Sequence, residues 1–448
     1  MLADDPVRPS GLLDRAFDRI QSASRSKFGR DAAWLTSLTG FERVIAVVQA
    51  ALVSRALGIT EYGVFMLLFS TIGLVASSVA LQMGLTGTVF VSKYRETEKA
   101  KAAAVISVVM KFAWLISAVV VLVTLPAYSR LSEWLLGTSQ YQMAVLLGIL
   151  FVGATVVSGV QDGVAQGFEM FVTMVKLKIA VAIPVLAAIY LVTRTFGLNG
   201  AMLAILTGMV IKYAILERAI WRRRSEAGIP HRGGGVSFRN LISDFTVPSM
   251  VVTLLVGLVT WLGTFLLSKQ VGGLDQVAIA STGLQWRGPV LLLTASFGSV
   301  AIPAFSRMSA AGDAAGTQRL FRNLVLVNLL IASGVALVMV AASGLILKVW
   351  GSGFEEGRLA FCLIVLSTIP NVVAGVYIHQ LVGAARMWRQ LWLHVPSLVA
   401  LSVSFAVLVP RYQAAGYGAS LLIGAVVLWG QLAAAGAVSG QAARATRS

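Results

Sequence analysis

A succession of long apolar runs constrains this chain more than any other feature. Inside a bilayer the backbone N–H and C=O groups have no water to bond, so a spanning segment must be a helix or belong to a closed barrel. About 20 apolar residues suffice for one helical crossing. Runs of that length lie near 34–58, 62–91, 104–126, 141–166, 174–194 and 198–220. A second set follows near 244–268, 276–303, 322–348, 358–383, 390–409 and 415–437. Only 12% of the residues are charged and the mean hydropathy is +0.82, whereas soluble domains carry roughly 25% charged residues. The expected fold class is an all-α polytopic membrane protein with twelve transmembrane helices. Residues 1–33 read as a cytosolic N-terminal segment, 34–220 as an N-lobe, 221–243 as a cytosolic linker, 244–437 as a C-lobe and 438–448 as a cytosolic tail.

The two sets are one unit written twice. A shift of 214 positions pairs Ser54 with Ser268, Arg55 with Lys269, Gly58 with Gly272 and Glu61 with Asp275. The same shift pairs Gly84 with Gly298 and Ser92-Lys93 with Ser306-Arg307. With two more residues of offset, Gly159-Val160 meets Gly375-Val376 and Gly167 meets Gly383. Six spans per unit is an even number, so both lobes enter from the same side and are related by an axis along the membrane normal. Two pseudo-symmetric six-helix lobes with a central cleft follow. In such secondary transporters the substrate site lies at the lobe interface near the midplane.

Charge sets the orientation, because Lys and Arg near span ends stay cytoplasmic. With both termini inside, 25 fall in inner segments, seven in outer loops and four within spans. The cytosolic linker Trp221 to Ser243 carries a base cluster and a Gly triplet. The net charge of +17 does not point to nucleic acid, which needs a basic face on a soluble domain. The single Cys362 lies inside a span, so disulfides are not expected. His231, His379 and His394 lack ligand spacing, and no metal or other cofactor is expected. No GxxxxGK[ST] loop is present, so direct ATP drive by this chain is not expected. Residues 1–33 lack a signal-peptide core. Leu12, Leu13, Ala16, Phe17 and Ile20 recur there at helical spacing behind Ser10, which suggests an interfacial amphipathic helix, with a basic tail as the alternative.

The stretch SRALGITEYGVF (54–65) has a local explanation as a tight hairpin. Gly58 suits a helix C-cap, Thr60 can cap the next helix, and Glu61, like Asp275 in the second copy, suits the positive end of a helix dipole. It also resembles the first loop of the Wzx-type oligosaccharide-lipid flippases, the polysaccharide transporter family, whose pattern is close to S-R-x-L-G-x-x-x-Y-G-x-F. Trp350 to Phe354, WGSGF, is similar to a family turn of aromatic, Gly, two variable residues and aromatic. Gly383 to Arg389, GAARMWR, looks like its short basic loop between spans ten and eleven. Lys93 matches the family's basic residue before the second cytoplasmic loop only loosely. The resemblance implies the superfamily that includes multidrug extruders, lipid-linked oligosaccharide exporters and peptidoglycan-precursor flippases. Twelve spans argue against the last branch, which usually has fourteen.

Ionisable groups in hydrocarbon are costly and usually face a wet cavity or the bundle interior, so each one is a candidate. Glu42 and Arg43 lie deep in the first span, and Gln49 returns to the Glu42 face seven residues on. Glu42 is a coupling-proton candidate; a packing ion pair is the alternative. Arg287, in Gln285-Trp286-Arg287-Gly288-Pro289, lies near mid-membrane and suits an anionic phosphate or sugar acid, the alternative being an Arg that satisfies carbonyls freed by Pro289. Lys111 and Lys212 lie near cytosolic span ends, where they either snorkel or serve as admission-gate cations. Thr155, Ser158, Gly159, Asp162 and Gln166 share one helix face. Thr368, Asn371, Gly375 and His379 form a weaker counterpart, and both stripes read as helix packing or as cavity lining. The expected substrate residues are therefore Arg43, Gln49, Lys111, Asp162, Lys212, Gln285, Arg287 and His379, and no catalytic residue is expected.

Together these features point to a flippase that moves undecaprenyl-diphosphate-linked oligosaccharide units across a bacterial inner membrane for polysaccharide export. Its expected partners are that lipid-linked substrate, the bilayer and a glycan polymerase, and it is expected to act as a monomer. A multidrug-type cation antiporter is the first alternative and would favour an acid-lined cavity. A membrane-embedded glycan polymerase or ligase is the second and would need a larger outer loop than any here.

Overall fold

The computed structural model describes residues 27–80, 83–230, 246–295, 313–383 and 387–445, with a few isolated positions between them. The proposed amphipathic helix around Leu12 to Ile20 lies outside the described residues. The described chain is helical, with no strand. Its elements are α1 (Lys27–Val79), α2 (Met83–Tyr94), α3 (Lys99–Thr124), α4 (Tyr128–Leu136), α5 (Gln142–Gly167) and α6 (Phe171–Glu226). After the 231–245 region come α7 (Thr246–Ser268), α8 (Gly273–Ala295), α9 (Ala314–Ala341), α10 (Ser343–Trp350), α11 (Arg358–Leu366), α12 (Thr368–Gly383) and α13 (Met387–Ala445). Eight helices among the described residues are long and apolar enough to cross a membrane. The chain is a multi-pass membrane protein.

Three of the long elements are broken by one non-helical residue each: Gly58 in α1 (φ 78°, ψ 174°), Gly197 in α6 (φ 54°, ψ −139°) and Gln413 in α13 (φ 51°, ψ −126°). At Gly197 and Gln413 the chain folds back on itself. Gly200 packs on the Val192 carbonyl and Gly208 on Val185, while Gly416 packs on the Leu408 carbonyl and Gly424 on Leu401. A shift of 216 carries each contact of the first hairpin onto the second, and carries Gly197 onto Gln413. The two hairpins are thus equivalent backbone folds built from unequal residues. Helix α6 continues through Glu226, so the first turns of the expected linker are helical.

Packing is glycine-mediated where helices run close. Helices α2 and α5 lie side by side in parallel, with Gly84 beside the Gly159 carbonyl, Gly163 against Gly84, and Gly167 against Gly87 and Val91. Small residues let backbones approach closely, and in lipid that approach supplies the dispersion contact that holds helices together. Thr88 Oγ1 adds a hydrogen bond to Gly163 O at 2.9 Å. The largest core joins the two halves of the chain: Tyr62, Phe65 and Leu67 pack in one cluster with Trp350, Phe354, Phe361 and Tyr417. A second core, built from α2, α3, α5 and α6, is confined to the first half.

Candidate functional site

Three deep cations share one level of the bundle. Gly58, Gly197 and Gly272 are positive-φ turn residues, and they lie at one end: Gly197 sits beside the Glu61 carboxylate, and Gln413 Nε2 donates to Val271 O at 3.1 Å. Arg43, Lys212 and Arg287 each stand fifteen residues from one of these turns. At 1.5 Å per residue each is about 22 Å from that end. For Arg287 this is deeper than the sequence suggests, because α8 begins at Gly273 rather than 276.

Lys212 lines a cavity of about 230 Å³ in the first half. The first limb of α1 contributes Phe41, Ile45, Ala46 and Gln49, and the two limbs of α6 contribute Lys178, Val181, Ala182, Val185, Ile205, Gly208, Met209 and Lys212. Gln49 and Lys212, both expected from the sequence, therefore meet. Asp162 holds this cluster from α5: Lys212 Nζ donates to Asp162 Oδ2 at 2.8 Å, and Lys178 Nζ lies 3.7 Å from the same oxygen. Lys212 is only 16% exposed. The interfacial snorkelling alternative for this residue is thus replaced by an interior ion pair. Asp162 Oδ1, Gln161 Oε1 and Ser158 Oγ are buried and lack hydrogen-bond partners. Buried polar groups are nearly always paired, so this turn of α5 keeps acceptor capacity in reserve.

Sequence reasoning missed three members. Lys178 stands only a few residues into the 174–194 run, with no pattern around it that marks it out. Gln161 is fully buried and donates to Glu217 Oε2 at 2.7 Å and to Tyr213 O at 3.1 Å. A signal existed for both Gln161 and Glu217: each is within one helical turn and a residue of an ion-pair member already singled out.

The remaining candidates are dispersed. Arg43 crosses the seam between halves, its Cδ 3.4 Å from where a side chain on Gly288 would begin. Arg287 is the next residue to Gly288, and the hydroxyl of Tyr417 on α13 is 3.3 Å from Thr264 Oγ1. The Nε of Arg287 and the Nε1 of Trp286 are buried without hydrogen-bond partners, so this Nε does not satisfy a carbonyl freed at Pro289. Trp286 packs against Trp350 at 6.1 Å between centroids. Gln285 is half-buried on the same helix, His379 is half-buried on α12, and Lys111 is exposed on α3. None of these three lines the α1–α6 cavity. Glu42 lies on α1, and its side chain lies outside the described residues.

An interrupted, internally repeated helical bundle with cations at one common depth defines the class, a multi-pass membrane protein. Residues 28–309 match the family model described as polysaccharide biosynthesis protein, more than half of the chain, and the chain belongs to that family. The inward-facing conformation of a multidrug resistance MATE family transporter of the MOP superfamily superposes with a TM-score of 0.76 at 13% identity, covering 90% of this chain and 96% of that one. An outward-facing conformation of such a transporter gives 0.68 at 13% identity, covering 95% and 99%. A MOP superfamily transporter from Pyrococcus furiosus Vc1 (DSM3638), described as having a binding pocket of reverse polarity that suggests a different function, gives 0.64 at 13% identity, covering 89% and 92%. No curated protein matches the chain at a significant level.

Proposed function

We propose that this protein is a flippase for undecaprenyl-diphosphate-linked oligosaccharide units, moving them from the cytosolic to the outer leaflet of a bacterial inner membrane during polysaccharide export. The observation that carries the proposal is the amphipathic cavity, whose walls are apolar and whose polar groups are Gln49, Lys178 and Lys212. Such a lining suits an anionic head joined to a hydrocarbon tail. Membership of the polysaccharide biosynthesis family supports the same substrate class. We read the chain as twelve crossings in two lobes, 34–220 and 244–437, joined by a cytosolic linker at 221–243. Arg43 and Arg287, on facing helices of the two lobes, receive the diphosphate or acidic sugars as the lobes alternate. A glycan polymerase would take the product on the outer side, and the transporter would act as a monomer.

Outward movement of an anion opposes the membrane potential by about 2.3 kcal/mol per charge per 100 mV. Positive residues that travel with the substrate, or a counter-moving proton, offset that cost, and Glu42 is the proposed proton carrier. The test is deletion of the gene with complementation by Arg287→Ala, Lys212→Met and Glu42→Gln, reading lipid-linked oligosaccharide in each leaflet. The expected result is inner-leaflet accumulation and lost surface glycan in the deletion, reproduced at least in part by the cation variants. Unchanged surface glycan without accumulation would sink the proposal. Reconstituted transport indifferent to an imposed pH gradient would remove the role of Glu42.

A further inference from the structure

At the end of the bundle that carries the turns, each half supplies a cation that caps a helix of the other half. Arg55, three residues before Gly58, donates from Nε to Val349 O at 2.7 Å and reaches Lys348 O from Nη2 at 3.5 Å. These are last-turn carbonyls of α10, which stops at Gly351 (φ 125°). Lys269, three residues before Gly272, donates from Nζ to Trp134 O at 2.8 Å and Leu135 O at 3.1 Å. Those are last-turn carbonyls of α4, which stops at Gly137 (φ 73°). The repeat offset of 214 carries Arg55 onto Lys269, Trp134-Leu135 onto Lys348-Val349, and Gly137 onto Gly351. The interlock is therefore reciprocal. The last four carbonyls of a helix have no intrahelical partner and attract positive charge, so each cation meets an otherwise unmet acceptor across the seam.

Neighbouring contacts reinforce the seam. Ser54 Oγ donates to Trp350 O at 2.9 Å, and Thr60 Oγ1 bonds Asp275 Oδ1 at 2.6 Å. Gly63 packs onto the backbone of Leu274.

We infer that Arg55 and Lys269 form the paired latch of an outer gate, whose release on both sides is the step that opens the cleft outward. This rests on the alternating-access and orientation readings above. The latch is built from fixed cations on backbone acceptors. The two sides are similarly placed: Val349 is 48% exposed and Trp134 is 55% exposed.

The test uses full-length protein with Cys362→Ala and a single cysteine at Leu274→Cys, half-buried in the seam. A membrane-impermeant maleimide is applied to sealed vesicles of known sidedness. Arg55→Gln and Lys269→Gln are each expected to speed labelling about threefold to tenfold, in keeping with loss of a charged hydrogen bond at a partly exposed site. The double variant exceeds either single variant. Arg55→Lys, which keeps the charge, labels within about twofold of its parent. Cross-linking Thr60→Cys to Asp275→Cys with a short bifunctional reagent suppresses labelling at Leu274→Cys. An unchanged rate in a folded double variant, or acceleration in Arg55→Lys equal to that in Arg55→Gln, would overturn the latch. The ratio of variant to parent tests the latch. The membrane side from which label enters tests the orientation, and transport assays test the substrate, so the three fail separately.

Discussion

Lys212 and Asp162 show why a residue's depth along a helix is a poor guide to its partner. Counting from the near end of its apolar run, the Lys212 side chain could have reached the interface, yet it turns inward to a carboxylate 2.8 Å away. Asp162→Ala removes that acceptor from two lysines at once and is expected to cost about 1.5–3 kcal/mol, the range for a hydrogen bond to a charged group. The measurement is thermal unfolding in detergent. Adding Lys212→Met to Asp162→Ala should recover part of the loss, because the uncompensated cation goes with it; strict additivity would show that the pair is not coupled. Arg287 differs in having a buried Nε without a hydrogen-bond partner. Arg287→Met should therefore leave unfolding temperature within a few degrees of the parent, or raise it, while lowering transport. A large destabilisation with unimpaired transport would assign Arg287 to packing alone.

Among the elements, the most informative comparison is between the two folded-back hairpins of α6 and α13. Gly197 suits a positive φ because it has no Cβ, but its repeat mate Gln413 adopts nearly the same angles with a side chain. A non-Gly residue held there costs of order 1–3 kcal/mol. Its side chain returns one hydrogen bond to Val271 O, worth about 0.5–1.5 kcal/mol. The balance predicts that Gln413→Gly stabilises by about 1 kcal/mol, measurable as a raised unfolding temperature. Gly63 makes the opposite case. A methyl group there meets the Leu274 backbone, which cannot rotate away, so Gly63→Ala should destabilise by about 1–3 kcal/mol as overpacking does and should also speed labelling at Leu274→Cys. Span positions were legible because apolar runs leave helices no alternative in lipid; α5 was expected at 141–166 and is Gln142–Gly167. The role of the SRALGITEYG turn was not. Taken alone, Thr60 looks like a cap for its own helix, and only the fold shows its hydroxyl on Asp275 of the other half. Two of the three stretches that carry the family resemblance, 54–65 and 350–354, touch each other through Ser54 with Trp350 and Tyr62 with Phe354.

Over the whole molecule, the two ends of the bundle differ in kind. One end gathers the turns at Gly58, Gly137, Gly197, Gly272 and Gly351. Arg95, Lys101 and Arg223, with ion-pair partners Glu169, Glu98 and Glu226, belong to the loops and helix ends that connect on the opposite side. Val271, 90% exposed at the first end, gives a direct check of sidedness. In a Cys362→Ala background, Val271→Cys should react with an impermeant thiol reagent in intact cells, and reaction only after permeabilisation would invert the topology. The equivalence of the turns and hairpins was legible because glycines and charges recur at an offset of 214, then 216, residues. The cavity was only half legible, since Gln49 and Lys212 could be named from helix phase but not joined. What brings them to one cavity is the packing of α1 against the limbs of α6 folded back at Gly197, a tertiary event that no local pattern encodes. The reciprocal capping has a consequence for how the chain could be divided. Cut within 231–245, each fragment would carry a helix whose terminal carbonyls await a cation that only the other fragment owns. Separately produced, the fragments should be unstable, and produced together they should reassemble as a heterodimer held at the seam by those two clasps.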